Sequence, residues 1–196
     1  MMTSSRNGMT VQEAIHARRS VRAYAPAALD GATIEALLHA AVRAPTAVHM
    51  EPWAFVVLQD REALRRLSDR AKPLFVEEVH RAHLDRGGHA LDIFARPGFD
   101  IFYGAGTLVI IGAESDVPFA VADCWLAAEN LMLAACGMGL GTCVIGSALV
   151  ALQLPEVKRD LGIPAGFMPI APIVVGVPSG DTPITSRKPP RVVAWR

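Results

Sequence analysis

The chain contains few cysteines, few aromatic residues and no excess of charge of either sign. Its 196 residues include 3 cysteines, 6% aromatic residues, and 19 basic residues against 19 acidic ones. Nucleic-acid-binding proteins usually carry a basic excess, so this balance argues against a nucleic-acid partner. The cysteines are odd in number and lack metal-ligand spacing. They predict buried, reduced thiols in a cytoplasmic protein, and neither a disulfide scaffold nor a metal site.

Long uninterrupted apolar runs are also lacking. The most apolar stretch, residues 117–140, contains Asp123, Glu129 and Asn130. It therefore predicts a central core helix and no membrane span. The first residues, "MMTSSRNG", lack the apolar core of a signal peptide. With 52% hydrophobic residues, a chain of this length is expected to form a single domain, 1–196, with a sizeable core.

Hydrophobic periodicity and capping residues predict an α+β protein. Four helices are predicted to begin at the capping residues Thr10 (with Glu13), Asp30, Asp60 and Asp116. A short fifth helix is predicted to end at Gly162. Buried strands are predicted at residues 53–58, 107–113 and 170–178, with a short strand or turn at residues 141–146.

Two further segments have weaker patterns. Residues 73–86 have helical spacing, and residues 87–98 contain the glycine and proline breakers of a mobile loop. The last eighteen residues, 179–196, are proline-rich but end in "VVAW". Because this ending has strand character and would be wasted in water, an arm laid across another surface is favoured over a disordered tail.

Positive charge is concentrated in "RRSVR", residues 18–22. In an extended segment Arg18, Ser20 and Arg22 would point to the same side, and arginine forks with a hydroxyl suit phosphate oxygens. The alternative is a solvated helix end, where arginines meet the negative end of the helix dipole. These residues alone leave both interpretations open.

Two other stretches could approach a ligand. "APTAVHMEPWAF", residues 44–55, is a loop of small residues before a strand, although Trp53 could simply fill the core and His49 lie on the surface. "GMGLGTCVIG", residues 137–146, has four glycines that would let the backbone approach a planar ligand or make a tight turn. Its spacing differs from a dinucleotide-binding glycine motif. The helically spaced Glu77, His80 and His83 favour a solvated face over a metal site.

Together these features resemble the FMN-dependent nitroreductase family. "RRSVRAY", "APTAVHMEPWAFVV", "DCWLAAENLMLAACGMGLGTCVIG" and "TSRKPP" follow one another along nearly the whole chain. The resemblance implies an α+β fold with a central antiparallel sheet flanked by helices, in an intertwined homodimer that binds two FMN molecules at its interface. It also implies that residues 73–103 cover the substrate and that residues 179–196 form an arm across the partner subunit.

The same resemblance implies roles for particular residues. Arg18, Ser20 and Arg187 would hold the FMN phosphate, Arg19 would line the ribityl chain, and Arg22 would reach the pyrimidine edge of the ring. The loop that would cover the flavin from the second subunit contains Pro45, Thr46, Ala47 and His49. The segment that would place a backbone N–H at flavin N5 contains Ile145 and Gly146. No catalytic side chain and no metal are implied.

The implied activity is that of an oxidoreductase in which NAD(P)H reduces FMN and an electron-poor nitroaromatic or quinone is then reduced in a ping-pong scheme through N5. His49 and Glu51 stand where the family usually has Asn and Gln. They leave the substrate open and keep a flavin sensor or carrier without turnover as an alternative. Relatives in this fold dehalogenate, desaturate or cleave reduced flavin, so a different reaction of the same fold is a further alternative. An RNA-binding module fits poorly with the neutral charge and with Tyr24 as the only stacking aromatic near the arginines.

Overall fold

The structure, a computed structural model, describes residues 8–84, 89–114 and 117–196. The helices in these ranges are α1 (Val11–Ala17), α2 (Gly31–Ala41), α3 (Arg61–Arg81), α4 (Ala120–Gly137), α5 (Leu149–Leu152) and α6 (Pro155–Asp160). The strands are β1 (Trp53–Leu58), β2 (Thr107–Ala113), β3 (Gly141–Val144) and β4 (Met168–Gly176). Short 3₁₀ helices lie at Ala47–His49, His89–Ala95 and Gly146–Ala148.

The four strands form one antiparallel sheet in the order β1-β2-β4-β3. Side chains alternate between the two faces of a strand, and both faces of β2 are buried. Leu108 and Ile110 join the core cluster that contains buried residues of α3 and α5, while Val109 and Ile111 join the cluster that contains those of α2 and α4. The predicted α+β architecture, a central antiparallel sheet flanked by helices, is therefore confirmed.

The apolar stretch at residues 117–140 forms α4, which packs on the sheet as the predicted core helix. Among the described residues, no helix is both long enough and apolar enough to cross a membrane. The predicted cap Asp116 lies outside the described residues, and Phe119, with a φ of 71°, directly precedes the helix. The opposite face of α4 exposes Val121, Trp125 and Leu126.

The other predicted helix starts are confirmed by hydrogen bonds. Thr10 and Glu13 form both bonds of a capping box, Asp30 accepts from the Thr33 N–H at 2.8 Å, and Asp60 accepts from the Ala63 N–H at 2.9 Å. Accepting a backbone N–H holds the pKa of Glu13, Asp30 and Asp60 below its usual value.

Residues 61–81 form one continuous helix that passes through Pro73. The sequence predicts a helix from Asp60 and a separate helical pattern from residue 73, because proline removes one helical hydrogen bond. Packing accounts for the continuity, since Leu64, Leu67 and Ala71 are buried in the core. The loop expected after this helix contains the 3₁₀ helix His89–Ala95, where the Phe94 ring lies 5.0 Å from the Phe75 ring and 5.6 Å from the Phe99 ring.

The predicted buried thiols are found for two of the three cysteines. Cys124 and Cys143 are buried and free, whereas Cys136 is half-buried. Burial raises the pKa of Cys124 to about 11 and also raises that of Cys143. Both therefore stay protonated at neutral pH and are poor nucleophiles.

Residues 20–25 lie between β3 and the chain that follows β4. Ser20 bridges to Thr142, and the Val21 N–H donates to the Thr142 carbonyl at 2.9 Å. The Ala25 N–H donates to the Val177 carbonyl at 2.9 Å. Beyond this pairing, residues 179–196 contain no helix or strand, and Trp195 is 90% exposed. An arm across a partner subunit remains a prediction.

Replacing Gly141 by alanine is expected to separate Val21 from β3. A Cβ at Gly141 would lie 2.7 Å from Val21 Cγ2 and 2.8 Å from Val21 Cβ, which is closer than such atoms can approach. We expect Gly141→Ala to lower the free energy of unfolding by about 1–3 kcal/mol, measured by urea denaturation. The control is Gly137→Ala, where no atom lies within 4 Å of the new Cβ. Equal stability of the two variants would show that Val21 does not depend on this close approach.

Candidate functional site

A cleft of about 240 Å³ lies between the arginine segment and the C-terminal tail. Its walls are formed by Arg19, Ser20, Arg22, Ala23, Asp181, Thr182, Pro183 and Thr185. The pairing of Ser20 and Val21 with Thr142 of β3 explains why Ser20 and Arg22 share this cleft, because Val21 between them points to the other side and is buried. Two arginines, three hydroxyl groups and the carboxylate of Asp181 thus line this space, and the arginines and hydroxyls are the groups that suit a phosphate.

Arg18 lines a second, adjacent cleft of about 290 Å³. The alternation expected from the sequence would put Arg18 with Ser20 and Arg22, but Arg18 is the residue at which α1 ends and its Nε lies 3.5 Å from Glu129 Oε1 of α4. Arg19 lines both clefts. Its guanidinium donates to the carbonyls of His16 and Arg18 at the end of α1. For Arg19, the structure therefore shows the helix-end contact that the sequence left open as an alternative.

The charges of Arg18 and Arg22 converge on the buried end of β3. Burial raises the pKa of the Cys143 thiol, and the positive charges of Arg22 and Arg18 act in the opposite direction. Burial also raises the pKa of Tyr24 far above its ordinary value. The protonated Tyr24 hydroxyl donates to the Val21 carbonyl at 2.9 Å, which fixes the segment between the two arginines. The positive potential is thus local, in a chain without net charge.

The loop of residues 46–51 has an unusual backbone. Val48, His49 and Glu51 have φ values of 48°, 56° and 46°, which non-glycine residues seldom adopt. Val48 is 84% exposed, and Met50 is also exposed. Each such residue costs about 1–3 kcal/mol, and strain of this kind is concentrated at functional sites.

Helix α4 separates this loop from the arginine clefts. The Ala47 N–H lies 3.3 Å from each carboxylate oxygen of Asp123, in the first turn of α4. Cys136, which lines the Arg18 cleft, is in the last turn. Asp123 and Cys136 are thirteen positions apart, which corresponds to about 20 Å along a helix axis, and Glu129, the partner of Arg18, lies between them. The structure therefore does not bring the loop residues Pro45, Thr46, Ala47 and His49 together with the arginines of the same chain.

The remaining predicted site residues are placed near the clefts or at the end of β3. The Ile145 N–H donates to the Pro172 carbonyl at 2.8 Å, so it is already used within the sheet. Gly146 is exposed, and no atom lies within 4 Å of the position a Cβ would take there. Of this pair, Gly146 is the residue whose N–H can face a ligand. Arg187 lies on the tail and donates to the carbonyls of Thr185 and Ser186.

Sequence reasoning missed three residues of this region. Glu129 interrupts the apolar sequence of the helix, but nothing in the sequence assigns its partner Arg18. Asp181 and Thr182 line both clefts. They lie in an irregular segment, where no periodicity indicates which side chains point inward.

Val48→Gly tests the backbone strain of the loop, with Val48→Ala as the matched control. Both changes remove the side chain beyond Cβ, but glycine alone also relieves the steric conflict at a φ of 48°. We expect the glycine variant to be more stable than the alanine variant by about 0.5–1 kcal/mol, after allowing for the greater freedom of glycine in the unfolded chain. The measurement is thermal denaturation, and a glycine variant that melts below the alanine variant would contradict it.

Comparison with known proteins agrees with the geometry. The model of the Nitroreductase family matches residues 15–178. A Methanothermobacter thermautotrophicus protein, whose name NADH dehydrogenase/NAD(P)H nitroreductase is itself provisional, is 29% identical over 175 residues, covering 87% of this chain and 78% of that protein. The FMN reductase (NADPH) of Bacillus subtilis is 25% identical over 181 residues, covering 90% of this chain and 68% of that protein.

A solved structure shares the fold. The nitroreductase of Bacteroides fragilis, crystallised with bound FMN, is 28% identical and superposes with a TM-score of 0.77. The match covers 94% of this chain and 97% of that one. The family model extends over most of the sequence, from before the arginine segment to the end of the sheet. The chain therefore belongs to the Nitroreductase family of oxidoreductases.

Proposed function

We propose that the chain is an FMN-dependent oxidoreductase that uses NAD(P)H to reduce nitroaromatics or quinones. The observation that carries the proposal is the pair of adjacent clefts, in which Arg18, Arg19, Ser20 and Arg22 meet at the end of β3. The bound FMN of the Bacteroides fragilis structure and the FMN and NADPH in the name of the Bacillus subtilis relative support the choice of cofactor.

The residues of the clefts fit the polar end of FMN. Arg18 contacts Glu129 through its Nε, and its Nη groups would form the fork to the phosphate. Ser20, an exposed residue, lines the adjacent cleft and would supply a hydroxyl donor. Arg187 lies two residues after Thr185, which forms part of the cleft wall, so a rearrangement of the tail side chain would bring a third donor to the phosphate. Arg19 would lie along the ribityl chain.

Arg22 and Gly146 would act on the ring. Arg22 places a cation where negative charge on the pyrimidine edge is stabilised. The Gly146 N–H would donate to the edge opposite, near N5. FMN supplies the redox chemistry by accepting hydride from NAD(P)H and passing it to the second substrate. The protein binds, orients and shields the ring, and no side chain is assigned as a proton donor.

The site needs a second subunit in this proposal. The loop of residues 45–49 is held at the start of α4 and lines neither arginine cleft, while the arginine segment meets α4 at Glu129 and Cys136, so in this proposal the loop that covers a flavin comes from another copy of the chain. The apolar side chains left exposed on α1 and α4 suit such an interface: Val11, Ile15, Val121, Trp125 and Leu126. The apolar end of the tail would add to the contact. We therefore propose a homodimer with FMN at its interface.

The test of the proposed function is the visible spectrum of the purified protein, followed by anaerobic stopped-flow mixing. We expect a yellow protein whose flavin absorbance is bleached by NADH or NADPH and restored by a nitroaromatic or a quinone. Bleaching that no such compound reverses would indicate a different reaction of the same fold. A flavin that neither nicotinamide reduces would indicate a carrier or sensor. A protein that stays colourless with added FMN would contradict the proposal.

Arg18→Ala and Arg22→Ala should have different effects. Removing a charged donor to the phosphate costs about 1.5–3 kcal/mol, so Arg18→Ala should weaken FMN binding at least about tenfold. Arg22→Ala should retain more FMN but lower the flavin reduction potential and the rate of reduction. Fluorescence titration and spectroelectrochemistry measure the two effects. Arg66→Ala is the control, because Arg66 is exposed and paired with Glu62 on α3. Normal flavin occupancy and reduction in both variants would exclude the assignment.

Leu126→Arg tests the proposed dimer interface. A guanidinium buried in an apolar interface without a partner is strongly unfavourable, so this variant should elute as a monomer and bind FMN weakly. Light scattering after size-exclusion chromatography measures the mass. Ala165→Arg, in the exposed turn before β4, is the matched control and should leave the dimer intact. A dimeric Leu126→Arg variant with normal FMN binding would place the interface elsewhere.

A further inference from the structure

Three polar residues interrupt the apolar sequence of α4, and each one contacts a different segment of the chain. Glu129 lies against Arg18, Asn130 Nδ2 donates to the Ala40 carbonyl at 3.3 Å, and Asp123 accepts from the Ala47 N–H. The Glu129 side chain is about half exposed, whereas Asp123 is only 3% exposed. A buried carboxylate is costly unless its hydrogen bonds compensate for the lost water. The burial of the Asp123 carboxylate therefore calls for a structural explanation.

The position of Asp123 suits a backbone donor from outside the helix. Both carboxylate oxygens lie 3.3 Å from the Ala47 nitrogen, so one N–H is shared between them. Asp123 is in the first turn of α4, where the helix dipole stabilises negative charge. Within the described ranges, Asp123 takes part in no ion pair. The Ala47 amide is thus its partner from outside its own helix.

Ala47 is also the residue on which the strained loop depends. Its carbonyl accepts from the Met50 N–H at 3.1 Å, which closes the 3₁₀ turn. Between these two bonds lie Val48 and His49, both with left-handed φ values. Such a conformation persists only where the surroundings determine it. Val48 and Met50 are exposed, so their side chains supply little packing, and the hydrogen bond at Ala47 supplies the restraint.

We propose that Asp123 is a positioning residue that holds Ala47 and thereby sets the conformation of residues 46–51. Asn130, two helical turns further along α4, holds the end of α2 at Ala40 in a similar way. Helix α4 thus restrains both ends of the segment from Ala40 to Ala47. The connection to the flavin rests on the proposed function, in which this loop covers the ring in the partner subunit. The effect of Asp123 on the conformation of the loop does not depend on the proposed function.

The loop is tested by amide hydrogen exchange on the protein without added cofactor. Asp123→Ala removes the acceptor and should speed exchange of the Ala47 and Met50 amides at least about tenfold, whereas Asp123→Asn keeps an acceptor oxygen and should stay close to the wild type. Asn130→Ala is the matched control on the same helix and should speed exchange near the end of α2 only. Unchanged exchange in Asp123→Ala, or equal loosening in Asn130→Ala, would overturn the proposal.

Ala47→Pro removes the donor of the same hydrogen bond, and it is the alternative variant if Asp123→Ala does not fold. Proline removes the N–H donor, and the neighbouring Thr46, with φ −128° and ψ 151°, already has the conformation preferred before proline. We expect Ala47→Pro to speed exchange at Met50 as Asp123→Ala does. The double variant should show no further acceleration, because both changes remove one interaction. Additive effects would show that the two residues act independently and would contradict the proposal.

The flavin connection is tested by FMN titration and by the spectrum of bound flavin. Asp123→Ala should weaken FMN binding several-fold and shift the flavin absorbance, and Asp123→Asn should restore both. A loosened loop with wild-type affinity and spectrum would refute the role in covering the flavin. If the wild-type protein binds no FMN, the proposed function fails, and the exchange experiment still decides whether Asp123 positions the loop.

Discussion

The length of α4 between Asp123 and Cys136 is the constraint on which the site depends. At one end the helix holds the loop of residues 46–51, and at the other it borders the arginine clefts. The loop is held at Asp123, whereas the arginine segment meets the same helix at Glu129 and Cys136, about 9 to 20 Å further along its axis. The proposed homodimer would bring the loop of one copy to the arginine clefts of the other. The apolar face that α4 leaves exposed, with Val121, Trp125 and Leu126, is suited to hold such a second copy.

The same helix connects the core to the site. Its buried small residues pack on the sheet, while its three polar residues reach the arginine segment, the end of α2 and the loop. The sheet contributes the other support, because β3 and the chain after β4 pair with the two ends of residues 20–25 and point Ser20 and Arg22 to one side. Three arginines thus lie close together in a chain without net charge, with Glu129 and Asp181 as acidic neighbours.

Much of the fold follows from local signals in the sequence. The capping residues Thr10, Asp30 and Asp60 and the buried strand at residues 107–113 are where the sequence predicts them, because a cap and an apolar run act through neighbouring residues. The continuity of α3 through Pro73 could not be predicted, since packing of distant core residues outweighs the local effect of proline.

The sequence indicates which segments contribute to the candidate site, but only part of their arrangement in space. The arginine segment and the glycine-rich turn stand out in the sequence, and the resemblance to the family gives them roles. The separation of Arg18 from Ser20 and Arg22 depends on Glu129, which is more than a hundred residues away. The bond from Ala47 to Asp123 is likewise a contact between distant parts of the chain. No local pattern identifies such pairs.

The central claim is that the arginine segment binds the phosphate of FMN, and a comparison of FMN with riboflavin tests it most directly. The two molecules share the ring and the ribityl chain, and only FMN carries the phosphate. Fluorescence titration of the apoprotein should show FMN binding at least about tenfold more tightly than riboflavin, with a difference that decreases as salt is added, because charge-assisted contacts to the phosphate are absent from riboflavin. Equal affinity for the two flavins would contradict the account.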